Sequence, residues 1–324
     1  MQRFKILITS ASFSNEGIER LTSSIPCEIV RYKGPLKENE LIQLVEDVDA
    51  VIASHDQFTR RVIEKAGKLK VIGRHGIGYS EIDLQAATER GIFVTYTPVP
   101  EEFESVAEFT VGLILAVVRM IPSADRSMKE GKWERTRFIG NIIRGKTIGI
   151  IGLGNIGRRV AELLKGFEVN VIAYDPYVSG EIAAKYGVKL VDLHTLLRSS
   201  DIITIHAPLT EETKGMIGWR EIELMKPGVY IINTARGKIL LEDALYKAIL
   251  EGKVAGAALD VFEEEPPDLN KPLYKMEKVI VTPHIAAYTR EGLLAMDLAV
   301  ADDVVTVLKG GIPRYLVNKE VLSR

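Results

Sequence analysis

Short apolar runs alternate with helical patterns along almost the whole chain, and that alternation restricts the fold more than any other feature. Phe4–Thr9, Ala50–Ser54, Val71–Gly73 and Phe93–Thr95 read as buried strands, with Glu40–Glu46 and Arg61–Ala66 as helices between them. A βαβα rhythm demands a parallel sheet with helices on both faces, because each parallel crossover needs a helix to return the chain. A long helical pattern follows at Glu101–Arg119, apolar all round, as expected of a helix buried in a core or against a partner. After a polar connector holding Gly131, Trp133 and Gly140, the rhythm restarts at Lys146. Its strand candidates are Thr147–Ile151, Asn170–Tyr174, Ile202–His206, Tyr230–Asn233, Ala255–Asp260 and Val279–Thr282. A final helix is expected over roughly 291–307. With 324 residues the chain is long enough for two cores, so the sequence predicts an α/β protein of two doubly wound parallel sheets.

Composition argues against several function classes. A formal charge of −2 offers nucleic acid or a membrane surface no bulk attraction. The one cysteine, Cys27, cannot close an internal disulfide, and the N-terminal MQRFKILITS lacks the apolar core and cleavage site of a signal peptide. The apolar stretch near 106–118 is broken by Glu108, Thr110 and Gly112. A cytoplasmic protein is expected, with no membrane and no nucleic-acid partner. The five histidines are scattered without metal-ligand spacing, so no metal is expected.

The strand Thr147–Ile151 runs into Gly152-Leu-Gly-Asn-Ile-Gly157 and then a helix. In such a turn Gly152 permits the tight bend, Gly154 lets a pyrophosphate approach the backbone, and Gly157 lets helix and strand pack closely. The helix start, Asn155 and Ile156, offers unpaired N–H groups and a partial positive charge to phosphate. The next strand ends in Asp175, 18 residues past Gly157, where a carboxylate binds the ribose hydroxyls of NAD and repels the extra phosphate of NADP. NAD is therefore the expected cofactor.

Three polar residues follow the ends of later strands, where open α/β sheets place their ligands. They are Arg236, Glu265 and His284. Together they fit the oxidation of a 2-hydroxy acid. Arg236 would fork onto the substrate carboxylate. His284 would take the hydroxyl proton, and Glu265 would bond its other ring nitrogen and fix the tautomer.

The chain resembles the D-isomer-specific 2-hydroxyacid dehydrogenase family, and within it the phosphoglycerate dehydrogenases most. The resemblance rests on Gly152–Gly157, Tyr174-Asp175-Pro176, His206-Ala207-Pro208, Asn233-Thr234-Ala235-Arg236-Gly237, Leu259–Phe262 with Glu265-Pro266, and Thr282-Pro-His284, all in the family's order. It implies that Arg236, Glu265 and His284 are the catalytic set, that Asp260 bonds the nicotinamide carboxamide, and that Thr234 and Ala235 lie along the cofactor. It also implies that His206, Ala207, Pro208 and Thr213 line the adenosine side. Gly76, Ile77 and Gly78 would offer backbone N–H groups to the substrate carboxylate, joined there by Arg236 and His284. Residues 1–100 with 292–324 would form a flavodoxin-like substrate domain, and 101–291 a Rossmann NAD-binding domain. The 101–119 helix would bridge them and help form a homodimer.

The activity so implied is NAD-dependent D-2-hydroxyacid dehydrogenation, acting on phosphoglycerate or as a glyoxylate or hydroxypyruvate reductase. An NAD-sensing protein similar to corepressors, without turnover, is the alternative. Formate dehydrogenase, also similar, carries Gln where Glu265 stands. Ser80-Glu81 replaces the usual Asp-Asn pair, and Glu104 replaces a frequent asparagine. His55 and His75 stand where substrate loops are expected, and Arg60 and Arg74 are candidates either for a substrate phosphate or for surface ion pairs. His194 reads as surface.

Overall fold

In a computed structural model of the protein, which describes residues 3–323, the chain divides into two compact units. The first joins Met1–Glu102 to Tyr288–Arg324, and the second is Phe103–Ala287.

The first unit is built on β1 (Phe4–Ile8), β2 (Cys27–Arg31), β3 (Ala50–Ala53), β4 (Val71–Arg74) and β5 (Phe93–Thr95). All pairings are parallel, in the order β2-β1-β3-β4-β5, which is the flavodoxin-like arrangement. Because successive side chains point to opposite faces, Leu7, Val51 and Ile72 enter one core while Ile6, Ile8, Ile52 and Val71 enter the other. The second core is closed by the helix Arg290–Leu308, whose Val300 and Val304 lie over β4. A Cβ on Gly73 would stand 2.6 Å from Val300 Cγ2, so the glycine is what admits the helix. That helix packs wholly with this sheet, which is why the chain returns to the first unit at 287/288 and not at 291/292.

The second unit carries β6 (Thr147–Ile151), β7 (Asn170–Tyr174), β8 (Lys189–Leu190), β9 (Ile202–Ile205), β10 (Val229–Asn233), β11 (Val254–Leu259) and β12 (Val279–Val281). The order β12-β11-β10-β9-β6-β7-β8 is again all parallel and reverses between β6 and β9, as in a Rossmann sheet. The helix Pro100–Val118 buries Ala107, Thr110, Leu113, Ile114, Val117 and Val118 on this unit. It is not buried all round: Phe109, Val111 and Leu115 stay half-exposed and Gly112 is exposed. The connector after it also contains a helix that its polarity conceals, Ile121–Lys129. Among the described residues no single helix is long and apolar enough to cross a membrane.

Candidate active site

The glycine turn stands where the order of the second sheet reverses, between β6 and β9. Each glycine answers a different constraint. Gly152 has φ 91°, and a Cβ there would lie 2.6 Å from Ala207 N, so the turn presses against the chain leaving β9. A Cβ on Gly157 would lie 2.2 Å from Gly152 O, inside any allowed contact. Around Gly154 nothing lies within 4 Å, which leaves backbone open to a ligand. The helix Asn155–Leu164 starts there without a side-chain cap, so its first N–H groups face that space unsatisfied. This is a cradle of the kind a pyrophosphate fills.

Asp175 closes the turn from the end of β7. Its two oxygens accept from Leu153 N at 2.8 Å and Tyr177 N at 2.9 Å, one each, which fixes the carboxylate and leaves lone pairs for further donors. On the other side, His206 Nε2 meets Thr204 Oγ1 at 2.9 Å while Nδ1 is buried without a partner. Burial pulls this imidazole down to about 3, so it is neutral at physiological pH and serves as a wall, not as an acid or base. Thr213 Oγ1 donates to Pro208 O at 2.6 Å and shapes the loop after Ala207-Pro208. Thr234 Oγ1 is buried 2.9 Å from Thr110 Oγ1, and Ala235 N donates to Asn233 Oδ1 at 3.0 Å.

Arg236, Glu265 and His284 follow β10, β11 and β12, three adjacent strands whose ends are in register at Asn233, Leu259 and Val281. Glu265 Oε2 lies 2.7 Å from His284 Nδ1, and Oε1 accepts from Phe262 N at 3.0 Å. The carboxylate is thus aimed by its own loop. Both side chains are 29% exposed, so the pair is open to a ligand. Arg236 is half-buried and donates through Nη1 to Ala235 O at 2.7 Å. What binds its loop to that of Glu265 is Gly237, where a Cβ would fall 1.9 Å from Phe262 C. That contact was not evident in the sequence, although a glycine directly after the arginine is the signal.

Asp260 is fully buried, and both its oxygens are used: Oδ1 accepts from Thr282 Oγ1 at 2.6 Å and Ile285 N at 3.0 Å, Oδ2 from Ala286 N at 2.8 Å. Burial pushes its carboxyl above the usual range against the pull of these donors. Here it braces the turn that carries His284 at φ 53°, a role the sequence reading did not include.

In the first unit, Gly76 N donates to Thr97 Oγ1 at 2.8 Å and Ile77 N to Glu102 Oε1 at 3.2 Å. Two of the three amides expected to meet substrate are therefore already engaged, and among the described residues nothing accepts from Gly78 N. His75 is 4% exposed and faces inward, not toward a ligand. Arg60 is shared by Glu89 at 2.6 Å, Asp83 at 3.8 Å and Glu64 at 3.9 Å, and Arg74 is buried with Nη1 on His75 O. Glu104 pairs with Arg159 of the glycine-turn helix, Oε1 to Nη2 2.8 Å, and that bond holds its carboxyl below the usual range. His194 is exposed.

Residues 111–286 match the family model for the D-isomer specific 2-hydroxyacid dehydrogenase, NAD binding domain. The chain belongs to that family, and the cradle just described lies within the matched NAD-binding domain. It is 51% identical over 290 residues to a D-3-phosphoglycerate dehydrogenase of Archaeoglobus fulgidus, covering 89% of this chain and 55% of that one. The chain thus spans about half the length of the phosphoglycerate dehydrogenases it matches. It is 39% identical to a glyoxylate reductase of Thermococcus litoralis over 98% of both chains. The crystal structure of D-lactate dehydrogenase from Aquifex aeolicus complexed with NAD and lactic acid superposes with a TM-score of 0.84 at 30% identity, over 97% of this chain and 99% of that one.

The glycine geometry separates two substitutions. Gly154→Ala meets no neighbour and is expected to cost the free protein about 1 kcal/mol at most, from a poorer helix start, while weakening NAD binding. Gly157→Ala is expected to destabilise the free protein itself by roughly 3 kcal/mol through overpacking. Thermal melts with and without NAD check both; equal melting shifts without NAD would contradict the assignment.

Proposed function

We propose that the protein is an NAD-dependent D-2-hydroxyacid dehydrogenase acting on a small, unphosphorylated 2-hydroxy or 2-keto acid. The observation that carries this is the 2.7 Å contact of Glu265 with His284, beside Arg236, at the ends of three neighbouring strands of an NAD-binding sheet. Gly154, the N–H groups at Asn155 and Ile156, and Asp175 would hold the dinucleotide, whose nicotinamide, when bound, exchanges a hydride with C2. Asp260 would serve it through the turn it braces.

The remaining chemistry belongs to side chains. Arg236 would bind the substrate carboxylate and fix C2. In the first unit, the Gly76–Gly78 loop would receive a carboxylate through Gly78 N, since Gly76 N and Ile77 N already donate to Thr97 and Glu102. His284 accepts the hydroxyl proton in oxidation and returns it in reduction. Glu265, on Nδ1, keeps Nε2 as the working nitrogen and stabilises the imidazolium while it exists. His284→Gln should lower turnover by about 10²–10⁴-fold and leave NAD affinity unchanged. Retention of wild-type turnover would remove His284 from the mechanism. Absence of turnover by the unaltered protein on any 2-keto acid would favour a non-catalytic NAD sensor.

The engagement of Arg60 by three carboxylates and the burial of Arg74 favour an unphosphorylated substrate over a phosphorylated one. In a panel of glyoxylate, pyruvate, hydroxypyruvate and 3-phosphohydroxypyruvate, one of the first three should show the highest kcat/KM. With Asp175 as the proposed ribose ligand, NADH should outperform NADPH by about tenfold or more, because juxtaposed like charges cost several kcal/mol. Better turnover with NADPH would overturn that reading.

We also propose a homodimer, working in the cytoplasm. The half-exposed face of the Pro100–Val118 helix continues into Ile121, Met128, Trp133, Ile139 and Ile142, all more than half exposed. Apolar residues gathered on one segment mark a protein interface. Light scattering should give twice the chain mass, and Trp133→Glu with Ile139→Glu should give the monomer. A wild-type monomer would refute the dimer.

A further inference from the structure

The first sheet has its own reversal, between β1 and β3, where an open α/β sheet leaves a crevice. Here the chain's own side chains fill it. Ser10 follows β1, Ser54 follows β3 and His75 follows β4. Ser54 Oγ donates to Ser10 Oγ at 2.8 Å, Ser10 Oγ lies 2.9 Å from His75 Nδ1, and His75 Nε2 lies 2.8 Å from Asp297 Oδ1. Asp297, fully buried in the helix Arg290–Leu308, also accepts from Ser14 N at 3.1 Å. Phe13 stacks edge-on against the imidazole at 5.8 Å and seals it.

This is an expensive arrangement. A buried carboxylate costs several kcal/mol unless it is paired and hydrogen-bonded. Yet the ring N–H of His75 lies off the line to Asp297 Oδ1, so the two atoms touch without a well-aligned bond. An apolar pair would hold helix to sheet at less cost. The position of His75 accounts for the choice. It immediately precedes Gly76, which has φ 137°, and its backbone is held as well: N donates to Ala53 O at 2.8 Å, and O accepts from Arg74 Nη1. At the root of the loop the residue is thus bonded at Nδ1 and at both backbone groups, and is in contact with Asp297 at Nε2.

We propose that His75, clamped between Ser10 and Asp297, is a positioning residue that sets the Gly76–Gly78 loop for the substrate carboxylate without touching substrate. The inference rests on the reading of that loop under the proposed function. Loss of the clamp lets the loop and its Gly78 N drift, and misplacement by about an ångström can cost up to about a hundredfold.

The test compares His75→Phe, which keeps the ring and its stacking on Phe13, with His75→Gln, which can still reach Asp297, and with Asp297→Asn. Val304→Ala is the control, since it loosens the same helix over β4 at Gly73 while leaving every polar group of the clamp in place. For each, KM and kcat are measured with the best 2-keto acid, the inhibition constant with oxalate, the NADH Kd, and the melting temperature. His75→Phe should raise KM and the oxalate constant together by about tenfold, with NADH Kd and kcat within about twofold, and His75→Gln should recover part of the loss. Val304→Ala should lower the melting temperature and leave KM alone. If His75→Phe does not fold, His75→Gln and Asp297→Asn carry the same comparison with smaller shifts. An unchanged KM in the His75 and Asp297 variants, or an equal rise in Val304→Ala, overturns the proposal. A wild-type protein with no activity on any 2-keto acid overturns the function beneath it instead.

Discussion

A carboxylate without access to water organises the chemistry. Asp260 gathers Thr282, Ile285 and Ala286 onto its two oxygens, and this closes the chain after β12 into a turn tight enough to hold His284 at positive φ. A residue of that kind leaves the left-handed region unless its surroundings hold it there. With the turn fixed, the imidazole arrives at Glu265; without it, the 2.7 Å contact has nothing to define it. Burial raises the carboxyl above its usual range, and the three donors oppose that rise. The turn closes because each of these donors finds a lone pair on the carboxyl group. Gly237 performs the matching task from the other side by letting the Arg236 loop lie against the backbone at Phe262. The side chains of Arg236, Glu265 and His284, on three loops, thus depend on one buried acid and one missing methyl group.

The two sheets treat the same topological opportunity in opposite ways. Both are parallel, both reverse their strand order once, and both open a crevice where they do. In the second unit the crevice is lined by glycine and by uncapped helix amides, so it stays open and electrically positive. In the first it is closed by Ser10, Ser54, His75 and Asp297. A crevice that binds a dinucleotide must be empty of side chains. One that supports a loop gains from being filled, since the loop is then ordered before any ligand arrives.

How far the sequence disclosed this follows from which interactions are local. The central strands are dense runs of Ile, Val and Ala buried on both faces, and their periodicity marks them within a residue or so. β2 and β8 escaped notice because they are edge strands, one half-exposed and the other two residues long. The glycine turn and Asp175 stand within one βαβ unit, where spacing alone carries the geometry. The Glu265–His284 pair spans 19 residues and was inferred from chemistry and family resemblance. The dual engagement of Asp260, the Phe262 contact of Gly237 and the enclosure of His75 depend on which loops meet in space. A histidine in a predicted substrate loop looks the same in sequence whether it faces out or in; Ser10, 65 residues away, decides it.

The engagement of the loop amides bears on how a carboxylate can be received. Gly76 N and Ile77 N already have acceptors in Thr97 and Glu102, so the loop needs no ligand to satisfy its backbone. Such a loop sacrifices little conformational freedom when substrate docks, which conserves affinity for a small molecule offering few contacts.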